Sequence, residues 1–263
     1  SGFIMLYENI KKGDFNLVGN WRARNRQLNY FILDADGGNK KELTTPGGQS
    51  LFDALKSQNI HLPSSCGGGG SCGLCRVKMD PAPNAMAADL REIPEIELKQ
   101  GYRLSCQHKM YDQTKICLPH GLLDAKDIKM KVVSTNFVTP YICEIILKDI
   151  TGNKIDFYPG SYFQVTIPPY NKTLNEMDLP EALKSAWISL EANDKIGTTE
   201  ELHRTYSVAN ATHELDGNIK LNVRLILPSH TSQGVDVGIG STYMTTLKPG
   251  DHIQIRGPFG DFS

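Results

Sequence analysis

The run Ser64-Ser65-Cys66-Gly67-Gly68-Gly69-Gly70-Ser71-Cys72-Gly73-Leu74-Cys75 constrains this chain more than any other feature. Four consecutive glycines pack nothing and lose more conformational freedom on folding than any other residues. The sequence therefore implies a bound group that needs bare backbone at close range. Six cysteines occur in 263 residues, and three of them, Cys66, Cys72 and Cys75, crowd into this loop. A chain this long is not cysteine-dense, so the clustering reads as a metal or cluster site in a reducing compartment and not as a disulfide framework.

The spacing is Cys66-x5-Cys72-x2-Cys75, with Cys106 far downstream in Gly101-Tyr-Arg-Leu-Ser-Cys-Gln107. Three thiolates from one loop and a fourth from a distant segment is the ligand supply of a [2Fe–2S] cluster, with one residue more in the first gap than the plant-type spacing. Such a cluster is anionic and takes backbone N–H groups from a loop curled around it. Gly67, Gly68, Gly69, Gly70 and Gly73 are expected to provide positive φ and to leave out side chains there. Three rivals fit less well. A four-cysteine zinc site usually has two C-x2-C knuckles, and only one is present. Cys106-Gln107-His108 is half of a Rieske motif without its second half. Gly68-x-Gly70-x-x-Gly73 leads into a strand, whereas a dinucleotide fingerprint opens a helix. Cys117 and Cys143 fall in apolar strands and read as inert core residues.

Around this loop the pattern is α+β. LNYFILDADGGNKKELTT reads as strand, turn and strand. A short helix follows, with Ser50 as N-cap and Leu51, Leu55 and Ile60 on or near its buried side. The strand CRVKM, a second short helix within residues 86–99 and the strand KICLP complete a unit spanning residues 28–120. The chain then changes character. KMKVVSTNF, YICEIILKDI, SYFQVTIPPY, HRTYSVAN and IKLNVRLIL are strands without long intervening helices, as in an antiparallel barrel or sandwich. This second domain is placed at residues 126–263, with an insert at 168–202 carrying a helix near 180–190. Residues 1–27 have no clean period. They read as a linker or irregular segment, or as a juxtamembrane stub whose Lys11, Lys12, Arg22, Arg24 and Arg26 face an anionic leaflet.

A net charge of -1 argues against a nucleic-acid binder. No run approaches the length of a transmembrane helix and no signal-peptide pattern opens the chain, so the chain as given is expected to be soluble. In the barrel, Arg204-Thr205-Tyr206-Ser207 is followed by Gly238-Ile-Gly-Ser-Thr-Tyr243, read as the start of a helix through MTTL. Glycines and hydroxyls at a helix start suit a phosphate, an arginine from a neighbouring strand can clamp a diphosphate, and a serine with a stacking tyrosine suits a flavin ring.

The set RTYS, GSYFQVTIP, LNVRL, the segment from Gly238 to Thr242, LKPGD and GPFGDF resembles the FAD-binding barrel of the ferredoxin–NADP reductase superfamily. Joined to SCGGGGSCGLCRVK and GYRLSCQ, it is similar to the F-subunit family of sodium-translocating NADH:quinone oxidoreductases, over residues 28–263. The resemblance implies an N-terminal β-grasp [2Fe–2S] ferredoxin domain followed by an antiparallel six-stranded FAD-binding β-barrel. It implies cluster ligation by Cys66, Cys72, Cys75 and Cys106. Arg204 would bind the FAD diphosphate and Tyr206 would meet the flavin–ribityl end. Ser207 would sit near the reactive flavin nitrogen, making Tyr206 and Ser207 the catalytic pair. Thr205, Tyr162 and Gly238 complete the cofactor site, with Ser241 and Thr242 capping its helix.

The activity implied is hydride transfer from NADH to FAD and single-electron passage to the cluster, on the cytoplasmic side of a bacterial inner membrane beside other subunits of a membrane redox complex. That family carries an N-terminal membrane helix and a C-terminal NADH-binding domain, and this chain starts at Ser1 and stops at GPFGDFS. The expectation is a piece of such a protein that binds FAD and the cluster but reacts poorly with NADH. Two other classes are the reductase component of a soluble oxygenase and a ferredoxin-type carrier module without flavin.

Overall fold

A computed structural model describes residues 26–34, 37–38, 41–119, 121–123, 125–184, 195–226 and 238–260. Nearly all of the N-terminal segment 1–27, with Lys11, Lys12, Arg22 and Arg24, lies outside them. The described residues fall into two compact units, one within Ser1–Leu62 and Gly68–Leu123, the other within Pro63–Gly67 and Asp124–Ser263.

The first unit is a five-stranded mixed sheet. Its strands are β1 (Gln27–Leu33), β2 (Lys41–Pro46), β3 (Arg76–Asp80), β4 (Tyr102–Leu104) and β5 (Thr114–Cys117), in the order β2-β1-β5-β3-β4. Only β1 and β5 run parallel, with Tyr30 opposite Thr114. Alternation sets the faces: Leu28, Tyr30 and Ile32 are buried along β1 while their neighbours are not. Helix α1 (Leu51–Lys56) begins where Ser50 Oγ accepts the Asp53 N–H at 3.1 Å, and it buries Leu51, Ala54 and Leu55. Residues 86–99 hold two short helices and not one, α2 (Ala87–Glu92) and α3 (Glu95–Lys99). Pro94 between them has no N–H to continue the ladder and disfavours the helical conformation for Ile93, which is extended (φ −113°, ψ 129°).

The second unit is an antiparallel six-stranded sheet of β6 (Lys126–Thr139), β7 (Ile142–Asp149), β8 (Tyr162–Ile167), β11 (Leu202–Ser207), β12 (Ile219–Arg224) and β13 (His252–Phe259). The order is β11-β8-β13-β6-β7-β12. Its two edges meet at one bridge, Val208 opposite Leu221, so the sheet is barrel-like without a full closing ladder. Register shifts in β6 at Val132/Ser134 and Phe137/Thr139 let this long strand bend around the core. That core includes Ile145, Leu147, Phe163, Val165, Leu221, Met244 and Ile255. Inside the insert, β9 (Tyr170–Thr173) pairs with β10 (Lys195–Thr198). The expected insert helix is described as α4 (Glu181–Lys184), with residues 185–194 outside the described set. Helix α5 (Ile239–Thr245) completes the unit and stops two residues short of the expected MTTL end. No helix among the described residues is long and apolar enough to cross a membrane.

Candidate functional site

In the first unit, β3 and β4 bring two of the predicted ligands together. Ser105 N–H donates to the Cys75 carbonyl at 3.1 Å, tying the end of the cysteine loop to the segment after β4. Cys75 Sγ then lies 3.4 Å from Cys106 Sγ. Two thiolates bound tetrahedrally to one metal at ~2.3 Å stand a little under 4 Å apart, so this pair suits a single metal. The hydrogen bond from Cys75 to Cys106, and then burial, push the Cys75 thiol far above its usual range. Two touching sulfurs cannot both be thiolates unless a cation lies between them, which is what an iron supplies. Ser105 is fully buried, and its Oγ has no hydrogen-bond partner among the described residues. It is near enough to favour the Cys75 thiolate. A buried hydroxyl beside a ligand sulfur fits an anionic cluster there.

Cys72 is half-buried in the same unit, and Cys66, also half-buried, belongs to the Pro63–Gly67 segment grouped with the second unit, with Sγ 3.8 Å from Ser64 Oγ. Among the described residues no three His, Cys, Asp or Glu groups converge as they do around one metal ion. A two-iron cluster asks for two thiolates per iron and not for a tight foursome. Of the glycines expected at positive φ, Gly67, Gly68, Gly70 and Gly73 have it; Gly69 does not. Space is the second constraint: a Cβ at Gly70 would come within 2.6 Å of Gln107 Nε2.

Helix α2 braces both halves of this ligand set, and no local sequence pattern pointed to it. Arg91 Nη2 donates to the Gly70 carbonyl at 2.7 Å. Two residues earlier on the same helix, Asp89 Oδ1 accepts Leu104 N–H at 2.8 Å, and Oδ2 accepts Met86 N–H at 2.7 Å and meets His108 Nε2 at 2.6 Å. His108, half of an incomplete motif in the sequence, is the buried partner of a buried carboxylate. Cys143 is buried, which raises its thiol to about 11, while Cys117 is half-buried in β5.

In the second unit, β11 places the RTYS residues by alternation. Thr205 is buried opposite Gln164, and Ser207 is exposed opposite Tyr162, which packs on Phe259 with ring centroids 5.6 Å apart. Arg204 and Tyr206 point the other way, toward the first turn of α5. A Cβ on Gly240 would lie 2.7 Å from Arg204 Cγ and 3.1 Å from Tyr206 Oη. Gly240 is thus what lets α5 approach β11, whereas the sequence singled out only Gly238 in this segment. Burial raises the Tyr206 phenol above its usual range, so it stays protonated as a donor.

The capping expectation needs correction. Gly238 is the N-cap, and Ser241 and Thr242 lie inside the helix. Ser241 Oγ is used within the protein: it donates to the Gly238 carbonyl at 2.9 Å and accepts Ile226 N–H at 3.2 Å. Thr242 is fully buried, and its Oγ1 has no hydrogen-bond partner among the described residues. The loop before α5, residues 227–237, is outside the described set. The pairing of Arg204 and Tyr206 at a glycine-spaced helix start fits a dinucleotide's polar middle.

Comparison with known proteins agrees with both halves. The model of the 2Fe–2S iron–sulfur cluster binding domain matches residues 34–111, and that of the oxidoreductase FAD-binding domain matches residues 176–263. The F subunit of the Na(+)-translocating NADH-quinone reductase of Klebsiella pneumoniae subsp. pneumoniae is 33% identical over 91% of this chain and 60% of its own length. Its counterpart in Neisseria meningitidis serogroup C is 35% identical over 85% of this chain and 55% of its own length. The chain thus spans a little over half the length of these curated relatives. Among solved structures, the Amycolatopsis cytochrome P450 reductase GcoB matches with a TM-score of 0.42 and 19% identity, over 89% of this chain and 58% of that one. By its sequence, and by its two cofactor domains in series, the chain is a homologue of the F subunits of Na(+)-translocating NADH-quinone reductases.

Proposed function

We propose that this chain is the flavin- and cluster-carrying part of a respiratory Na⁺-translocating NADH:quinone oxidoreductase, working on the cytoplasmic side of the bacterial inner membrane beside other subunits of that complex. The proposed domains are residues 28–120 for the cluster and 126–263 for the flavin, with 1–27 as a preceding segment. The observation that carries the flavin half is the meeting of Arg204 and Tyr206 with Gly240 at the start of α5. The bound groups would supply hydride acceptance from NADH and one-electron transfer; the protein supplies binding, orientation and electrostatics.

Cys66, Cys72, Cys75 and Cys106 hold the cluster in this reading, with Ser105 and the glycine loop facing its charge. Arg204 neutralises the FAD diphosphate by charge-assisted hydrogen bonds, and Gly238 and Gly240 keep side chains out of its way. Tyr206 keeps its proton and donates toward the ribityl end. Thr205 anchors β11 from its buried face, and Ser207 and Tyr162, neighbours across β11 and β8, face the ring. Ser241 fixes the first turn of α5 through Gly238 and Ile226, and Thr242 offers its buried hydroxyl.

The test is complementation, by the gene that encodes this chain, of a bacterial strain deleted for its own F subunit. The reading predicts restored sodium-stimulated NADH oxidation by membranes. Flavin and cluster in a protein that restores nothing, and that instead supports a soluble oxygenase, would overturn it.

A further inference from the structure

No motif in the sequence assigns a role to Gln107, yet its side chain touches a predicted ligand. Gln107 Nε2 donates to Cys106 Sγ at 3.4 Å, a normal length for N–H···S. The residue is fixed at its backbone and packed at its side-chain amide. Gln107 N–H donates to the Leu104 carbonyl at 2.9 Å, which fixes the backbone just after the ligand. Gly70 lies against the amide so closely that a Cβ there would be 2.6 Å from Nε2 and 2.7 Å from Cδ. The Gly70 carbonyl is in turn held by Arg91. The absent side chain at position 70 is therefore the room in which the amide reaches the sulfur.

We propose that Gln107 sets the reduction potential of the cluster by hydrogen-bonding the Cys106 sulfur, and that Gly70 is glycine partly to admit that amide. Reduction adds negative charge that spreads onto the ligand sulfurs. A donor aimed at one of them stabilises the reduced form more than the oxidised form and raises the potential. Gln107 carries no proton that titrates, so this contribution is constant across the working pH range. The proposal rests on the reading of Cys106 as a cluster ligand.

The test uses the 263-residue chain purified without oxygen, followed by redox titration with electron paramagnetic resonance detection. Gln107→Met keeps the length of the side chain and removes the donor. The expected result is full iron and sulfide content, a recognisable [2Fe–2S] signal, and a midpoint potential shifted to more negative values than in the parent. An unchanged potential in a fully loaded variant would overturn the role of Gln107 and leave the cluster assignment standing. A parent protein with no [2Fe–2S] signal would overturn the cluster assignment as well.

If Gln107→Met does not load, the unmodified sequence answers the question. Protein labelled with ¹⁵N only in glutamine side chains is reduced and its nuclear couplings recorded. A side-chain ¹⁵N coupling that is lost on replacing Gln107 with any loading residue supports the proposal. No such coupling in the labelled parent overturns it.

Discussion

His108 Nε2 lies 2.6 Å from Asp89 Oδ2, with 1% and 0% of the two side chains exposed. Asp89 also accepts the N–H groups of Met86 and Leu104, so one carboxylate joins α2 to the segment carrying Cys106. Asp89→Ala would leave the buried Leu104 N–H and His108 Nε2, and the less buried Met86 N–H, without that partner. Leaving a buried hydrogen-bonding group without its partner costs about 1–3 kcal/mol. Urea unfolding of the whole chain should show a loss of that size in the transition of the first unit, and a loss under about 1 kcal/mol would contradict the structural role of Asp89.

Tyr30 carries the other buried anomaly of that unit. Its side chain is fully buried, its hydroxyl lacks a partner among the described residues, and burial raises its pKa from 10.0 to about 12. The neutral phenol is the form the fold favours. Its contribution is therefore complete below pH 10 and is lost as pH rises from there toward 12, because the unfolded chain releases the proton first. Tyr30→Phe should leave stability at about pH 7 unchanged or up to ~1 kcal/mol higher, since it removes an unsatisfied polar group. It should also flatten the decline between pH 10 and 12. A steeper alkaline decline in Tyr30→Phe would refute this.

In the second unit, Arg204→Ala tests the diphosphate clamp. Loss of a charge-assisted contact worth roughly 1.5–3 kcal/mol should weaken FAD retention about 10- to 100-fold, with the iron and sulfide content unchanged. Equilibrium dialysis with FAD reads the first and colorimetric assays the second. Undiminished flavin binding would remove Arg204 from the site.

Gly240→Ala separates fold from function at one atom. In a helix, alanine is favoured over glycine by about 0.8–1.0 kcal/mol, so propensity alone predicts a more stable helix. The added Cβ would instead meet Arg204 Cγ at 2.7 Å and Tyr206 Oη at 3.1 Å. We expect FAD binding to fall at least ~10-fold, equivalent to about 1.4 kcal/mol. Stabilisation with unchanged flavin affinity would contradict the pairing of α5 with β11.

What the sequence disclosed depends on the range of the interactions. Ser50 and its helix were legible because an N-cap and an apolar face are local patterns. So were β1, β3 and, in the second unit, β6, β7, β8, β11 and β12, where alternation in burial is a short-range signal. The glycine–cysteine loop was legible because chemistry left its mark on consecutive residues. Residues 86–99 read as one helix by their apolar pattern, although Pro94, which cannot continue a helix, marks the break between α2 and α3. Asp89, Arg91, Gln107 and Ser105 left no local mark, because the groups that give them meaning, Leu104 and His108, Gly70, and Cys75, are distant in sequence. Gly240 was hidden for the same reason: its neighbours Arg204 and Tyr206 are distant in sequence. The capping expectation failed because hydroxyl residues near a glycine look like caps, whereas here Gly238 takes that position.

The central claim is that one chain holds a [2Fe–2S] cluster and FAD together. The most direct measurement is a visible absorption spectrum of the protein purified without oxygen, before and after dithionite, with iron, sulfide and flavin quantified on the same sample. The account predicts flavin bands over a broad iron–sulfur envelope, both bleaching, with about two irons and one flavin per chain. A colourless protein holding zinc at the cysteines, or a cluster envelope with no flavin even after incubation with FAD, would contradict it.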